Sequence, residues 1–201
     1  MNGNNPTLEK LFRIFNADWY SQNVDTEIRF KNGEDKNALS VMAKELLAQY
    51  FHSPYKKVEG SEIAFVLPLV NPGDGKRLGV DLEGFIDLLE EDDAIVEFKT
   101  SAQTANQSDI DSNIQLTTYS YAYEMLTQRA PRLIKLVNFV KTKKPKIEVY
   151  ETKRTQADYQ RLFGLASQVL SGIRLQIFFP RMGFWCKDCE YGHICRDWRG
   201  D

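Results

Sequence analysis

The stretch Leu78-Gly-Val-Asp-Leu-Glu-Gly-Phe-Ile-Asp-Leu-Leu89, followed by Glu90-Glu-Asp-Asp93 and then Ala94-Ile-Val-Glu-Phe-Lys-Thr100, decides the architecture. Two runs rich in apolar and β-branched residues flank four consecutive acids, which is the pattern of two strands joined by a short polar turn. Centring that hairpin near Asp92 places Asp87 across from Glu97. The two-residue period of a strand puts Lys99 on the same face as Glu97. Two opposed carboxylates repel one another, so this arrangement asks for a compensating cation. A hard divalent ion serves, because Mg²⁺ takes one or two carboxylates together with water and phosphate oxygens. An E-x-K triplet alone commonly marks a solvated strand face. Here it sits in the otherwise apolar run Ile95-Val-Glu-Phe-Lys-Thr100, downstream of Gly84-Phe-Ile-Asp87.

Outward from the hairpin, Asp35 to Phe51 spaces Leu39, Met42, Ala43, Leu46, Leu47 and Tyr50 as an amphipathic helix. Ser61 to Val70 reads as a strand closed by the turn formers Asn71-Pro-Gly-Asp-Gly75. Downstream, Asn113 to Thr127 reads as a helix with Gln115 and Tyr119 four apart on one face. Leu133 to Val140 and Ile147 to Glu151 read as strands around the basic turn Lys141-Thr-Lys-Lys-Pro-Lys146. Thr155 onward reads as a helix carrying Tyr159, Leu162, Phe163, Ala166, Val169 and Leu170. The order is helix, three strands, helix, two strands, helix and a cysteine tail. It implies an α/β fold with a mixed central sheet flanked by helices.

The 201 residues, 42% hydrophobic, suffice for one sizeable core. A net charge of -2 excludes a wholesale polybasic nucleic-acid binder but not a local basic groove. No apolar run has membrane-spanning length and the start, Met1 to Glu9, is polar, so the expected location is cytoplasmic. Cys186, Cys189 and Cys195 are the three cysteines, and their odd number in one tight cluster points to metal ligation or free thiols over a disulfide framework.

Taken together, Gly79-Val-Asp-Leu-Glu-Gly-Phe-Ile-Asp87, Ala94-Ile-Val-Glu-Phe-Lys-Thr-Ser101 and Gln115-Leu-Thr-Thr-Tyr119 resemble the RecB-like branch of the PD-(D/E)xK nucleases. The branch includes nuclease domains of bacterial helicase-nucleases and CRISPR-associated iron-sulfur exonucleases. The resemblance implies a restriction-endonuclease-like core and a Mg²⁺- or Mn²⁺-dependent deoxyribonuclease acting on DNA ends or single strands in repair, recombination or defence. It implies Asp87 and Glu97 as metal ligands, the Phe98 main-chain carbonyl as a further one, Lys99 as the catalytic lysine, and Gln115 with Tyr119 as the pair contacting substrate. Glu59 sits where the family has a glutamate in its first strand, although an exposed strand-edge residue is the plainer reading. The basic turn with Lys141, Lys143 and Lys144 offers itself to phosphates, against the plainer reading of a solvated hairpin tip.

The tail, Cys186-x-x-Cys189-x-x-x-x-x-Cys195, is similar to that of the iron-sulfur members, where three cysteines join an upstream fourth around a [4Fe-4S] cluster. Three readings stay open: a cluster with a non-thiolate fourth ligand, zinc held with His193, or an incomplete site. The family's leading cysteine and histidine helix are not visible, and His52, before Pro54, reads as a loop residue. Thr7 to Phe15 resembles the end of that helix region. The expectation is a nuclease domain over residues 1–178 lacking its N-terminal segment, with residues 179–201 packed on it as a cysteine tail. The rival is a catalytically impaired nucleic-acid-binding or scaffold module of a helicase-nuclease assembly.

Overall fold

The computed structural model describes residues 7–25, 28, 30, 34–54 and 56–200. The polar start, residues 1–6, lies outside them. Helices α1 (Leu8–Asp25) and α2 (Lys36–Phe51) lead into strands β1 (Val58–Val70), β2 (Arg77–Glu90) and β3 (Ala94–Ser101). Helices α3 (Gln107–Asp111) and α4 (Ile114–Thr127) carry the chain across to β4 (Leu133–Val140) and β5 (Lys146–Thr152), followed by α5 (Gln156–Arg174). A 3-10 turn (Phe184–Asp188) and α6 (Gly192–Asp197) form the tail.

The five strands lie in the order β1-β2-β3-β4-β5. The sheet is mixed, with β3 parallel to β4 and antiparallel to β2, and β4 antiparallel to β5. The α/β expectation therefore holds. Three residues, Glu91 to Asp93, join the paired Glu90 and Ala94, and Asp92 and Asp93 both have left-handed backbones, φ 63° and 58°, a conformation Asp tolerates better than most side chains. Tyr123 and Arg129 bond Asp93, and Arg132 bonds the Asp92 carbonyl, so the acidic turn is tied down by its neighbours.

By contact, the chain divides into two compact units, Met1–Leu67 with Asp81–Thr155, and Pro68–Val80 with Gln156–Asp201. In the first, α4 packs on one sheet face. Its Leu116, Tyr119, Ala122 and Tyr123 join Phe65, Ile86, Ile95, Ile134 and Leu136 in a buried core. On the other face Tyr50 of α2 meets the rings of Phe98 and Phe139 at 5.6 and 5.7 Å. Each fully buried aliphatic or aromatic side chain contributes about 1.5–3 kcal/mol, so this sandwich is what holds the strands under the site. Arg154 fixes the junction of α3 and α4. Its guanidinium donates to the Ile110 and Asn113 carbonyls and to the hydroxyls of Thr117 and Thr152, closing the end of one helix and the start of the next. In the second unit the loop after β1 meets α5, where Gly73 lies against the Gln160 side chain, and Tyr159, Leu162 and Phe163 are buried.

Two helices exceed the sequence reading. All of Leu8–Asp25 is helical, with Leu8, Leu11, Phe12, Phe15 and Trp19 half-buried at helical spacing. The five-residue α3 is capped by the Asn106 side chain accepting from Ser108 N. Such a turn is too short to leave a periodic signal. His52 closes α2 as its C-cap, in keeping with its reading as a loop residue.

Gly84 makes room for the buried Phe65 ring, which stands edge-on to Tyr119 at 6.4 Å. A Cβ there would lie 2.7 Å from Phe65 Cζ. Gly84→Ala should therefore destabilise the protein by about 1–3 kcal/mol in urea denaturation through overpacking. An unchanged midpoint would contradict this packing.

Candidate active site

The site is built where strand pairing stops. The β2–β3 ladder runs from Glu90↔Ala94 to Leu88↔Val96, and the next β3 amide facing β2, Phe98 N–H, donates to Asp87 Oδ2 at 3.0 Å. The alternation of β2 breaks at the same point. Ile86 and Leu89, three residues apart, both join the core under α4, which a regular strand would forbid. A bulge-like irregularity of this kind re-aims one side chain and opens the ladder. Here the re-aimed residue is Asp87.

Beside it stands Glu97, 1% exposed. Its Oε1 is 2.5 Å from the Lys99 ammonium. Its Oε2 is buried and has no hydrogen-bond partner. Burial first, then the neighbouring Asp87 carboxyl, push the Glu97 carboxyl above its ordinary range, against the lowering contact with Lys99. Lys99 itself is close to half exposed, so the cation faces the opening and the acid faces the core.

From the opposite side α4 brings Gln115 and Tyr119. The Gln115 amide donates to the Tyr119 hydroxyl at 2.8 Å. Burial, with the charges of Glu97 and Asp87 adding to it against the Gln115 contact, pushes the Tyr119 phenol up to about 12. It stays protonated at neutral pH, a donor set beside two carboxylates. The Asn113 side chain, accepting from Leu116 N, caps α4 one turn ahead of this pair.

Asp87, Glu97, Lys99, Gln115 and Tyr119 are thus brought together as the sequence suggested. Glu59 is not. It lies exposed on β1, and among the described residues no three His, Cys, Asp or Glu side chains converge to hold a metal ion. The same observation removes the cysteine tail as a formed centre. Cys186 Sγ accepts from Gly183 N, Cys189 is exposed, and the free thiols do not converge with His193. A four-thiolate cluster also asks for one more cysteine than the chain has. The residues present do not fit such a cluster.

They do fit a divalent cation at Asp87 and Glu97. An orphaned buried carboxylate oxygen next to a second carboxylate is the donor set of an ion that keeps several waters. The lysines of the basic turn are exposed, as a solvated hairpin tip would be, and Lys141 lines the groove on the α2 face with Thr100 and Phe139. Because β3 and β4 are parallel, Lys141, Lys143 and Lys144 leave the sheet at the same edge as Lys99, and Lys141 N–H donates to the Ser101 carbonyl at 2.7 Å.

No curated protein matches the chain. Among solved structures, an Eubacterium rectale protein provisionally assigned as an exonuclease is similar with a TM-score of 0.55 at 17% identity, covering 98% of this chain and 76% of that one. The structure of SSO0001 is similar with a TM-score of 0.45 at 15% identity, covering 92% and 96% respectively. The first likeness is one of fold. A family model for the PD-(D/E)XK nuclease superfamily matches residues 1–196, and it is to this superfamily that the chain, with its opposed acids and strand lysine, belongs.

Proposed function

We propose that the protein is a metal-dependent deoxyribonuclease of the RecB-like branch, cutting from DNA ends or in single strands, in repair, recombination or defence. The observation that carries this reading is the unpartnered Glu97 Oε2 beside Asp87, with the Lys99 ammonium at the mouth. Asp87, Glu97 and the Phe98 main-chain carbonyl would hold Mg²⁺ or Mn²⁺. Bound there, such an ion supplies an acidified water and an electrophilic clamp on the phosphate. The rest falls to side chains of this chain. Lys99 offsets the charge that develops as water adds to phosphorus and the bond to the leaving sugar oxygen breaks. Tyr119, held protonated, and Gln115 donate to the strand lying across the acids. Lys141, Lys143 and Lys144 meet phosphates further along.

The carboxylate pair has a stability consequence in the metal-free protein. A carboxyl whose folded pKa is raised above its unfolded value is penalised once the pH exceeds the unfolded value, and the penalty fades as pH falls through the range between the two. Glu97→Gln should therefore raise the melting temperature of the chelator-treated protein by a few degrees at pH 8, and by less near pH 5. Added Mg²⁺ should stabilise the wild type and leave Glu97→Gln unmoved, since an ion bound only by the native state stabilises by mass action. A variant that melts below the wild type at both pH values would contradict the burial argument.

Activity is tested at Lys99. Lys99→Ala should lower the cleavage rate on the order of a hundredfold or more while leaving DNA affinity nearly unchanged, the signature of a contact made mainly in the transition state. End-labelled linear single- and double-stranded DNA, a closed circular single strand and an RNA of the same sequence, each with Mn²⁺, form the assay. Undiminished cleavage by Lys99→Ala would overturn the catalytic assignment. Degradation of the circle at the linear rate would assign cutting within single strands and exclude a requirement for ends.

A further inference from the structure

Strand β4 places Ile134, Leu136, Asn138 and Val140 toward the α4 face, and all four are buried. Asn138, at 2% exposure, is the lone amide in that row. An uncharged polar group taken from water into such a setting costs on the order of 1–3 kcal/mol unless it is bonded, so its partners indicate why it is there. They lie in one place. Ser101 Oγ donates to Asn138 Oδ1 at 2.9 Å, and Asn138 Nδ2 donates to the Gln103 carbonyl at 3.4 Å. The Ser101 hydroxyl is also 2.5 Å from that same carbonyl. Asn138 is the Cα partner of Lys99 in the parallel ladder.

The position of this node explains its use. Beyond Val96 the ladder between β2 and β3 has ended, so the segment from Glu97 to Ser101 is carried by β4 alone. Asp87 steadies it from one side through Phe98 N–H. Asn138 and Ser101 steady it from the other, two residues past Lys99. The chain then continues through Ala105, whose carbonyl accepts from the buried-side phenol of Tyr150 at 2.9 Å, to the helices bearing Gln115 and Tyr119.

We propose that Asn138, acting through Ser101 and Gln103, is a positioning residue that fixes the backbone behind Lys99 and so holds its ammonium over the Glu97 carboxylate and the scissile phosphate. It touches neither substrate nor acid. A misplacement of about 1 Å in a charge-stabilising group costs up to a hundredfold in rate without loss of binding. The proposal rests on Lys99 being the catalytic lysine.

The test uses the whole chain in steady-state cleavage of single-stranded DNA with Mn²⁺. Asn138→Leu, matched in branching and apolar, should remain folded at the assay temperature, lower kcat about tenfold or more, and leave KM and Mn²⁺ affinity within twofold. Ser101→Ala, at a half-buried site that tolerates a smaller side chain, should lower kcat in the same direction, and covers the case in which Asn138→Leu does not fold. The double variant should lose no more than the worse single one, because the two act as a unit. In a Lys99→Ala background, Asn138→Leu should cost nothing further. Full kcat in Asn138→Leu, or in Ser101→Ala should the former not fold, overturns the proposal, as does a loss matching the fraction unfolded. If Lys99→Ala itself cuts normally, the nuclease reading of Lys99 falls first. If Lys99→Ala is dead while Asn138→Leu is fully active, only the positioning role falls.

Discussion

A buried carboxylate oxygen without a partner, Glu97 Oε2, governs the rest of this structure. Its surroundings repeatedly raise the cost of that charge. Ile95 and Val96 precede it in the core, and Asp87 adds a second carboxylate at the strand junction. Lys99 and the protonated phenol of Tyr119 act in the opposite sense. A chain selected for stability alone would place an apolar residue at position 97. The excess of acid over cation is the mark of a site meant to receive charge from outside.

The geometry that makes the excess possible is an interrupted ladder. If β2 and β3 stayed paired to the end of β3, Ile86 would take the Phe98 amide and Asp87 would be one more alternating residue. The irregularity between Ile86 and Leu89 instead gives that amide to the Asp87 side chain. The cost is a stretch of β3 with strand support on one side only. Phe65, Gly84, Arg154 and Asn138 all serve to keep the two halves of the site, β3 and α4, rigid around that gap.

Much of this was legible in the sequence. The acidic turn fixed the hairpin, the hairpin fixed Asp87 opposite Glu97, and the four-residue spacing of Gln115 and Tyr119 put both on one helix face. The bulge was hidden because β2 is apolar on both sides of Asp87, so no alternation was available to break. Asn138 did carry a signal, being the one amide at an inward position of an otherwise aliphatic row, yet only the fold shows that its neighbour is Lys99. For Glu59 and the cysteines the sequence left alternatives open for the opposite reason. Their residue types suggest ligands, but ligation depends on convergence in space, and spacing along the chain cannot supply it.

The chemistry of the site turns on where a divalent cation sits. Anomalous scattering from crystals of the protein soaked in Mn²⁺ measures this directly. The predicted result is one strong peak within coordination distance, about 2.0–2.3 Å, of carboxylate oxygens from both Asp87 and Glu97, with the Lys99 ammonium displaced from Glu97. Strong Mn²⁺ density elsewhere, with none between these two side chains, would contradict it.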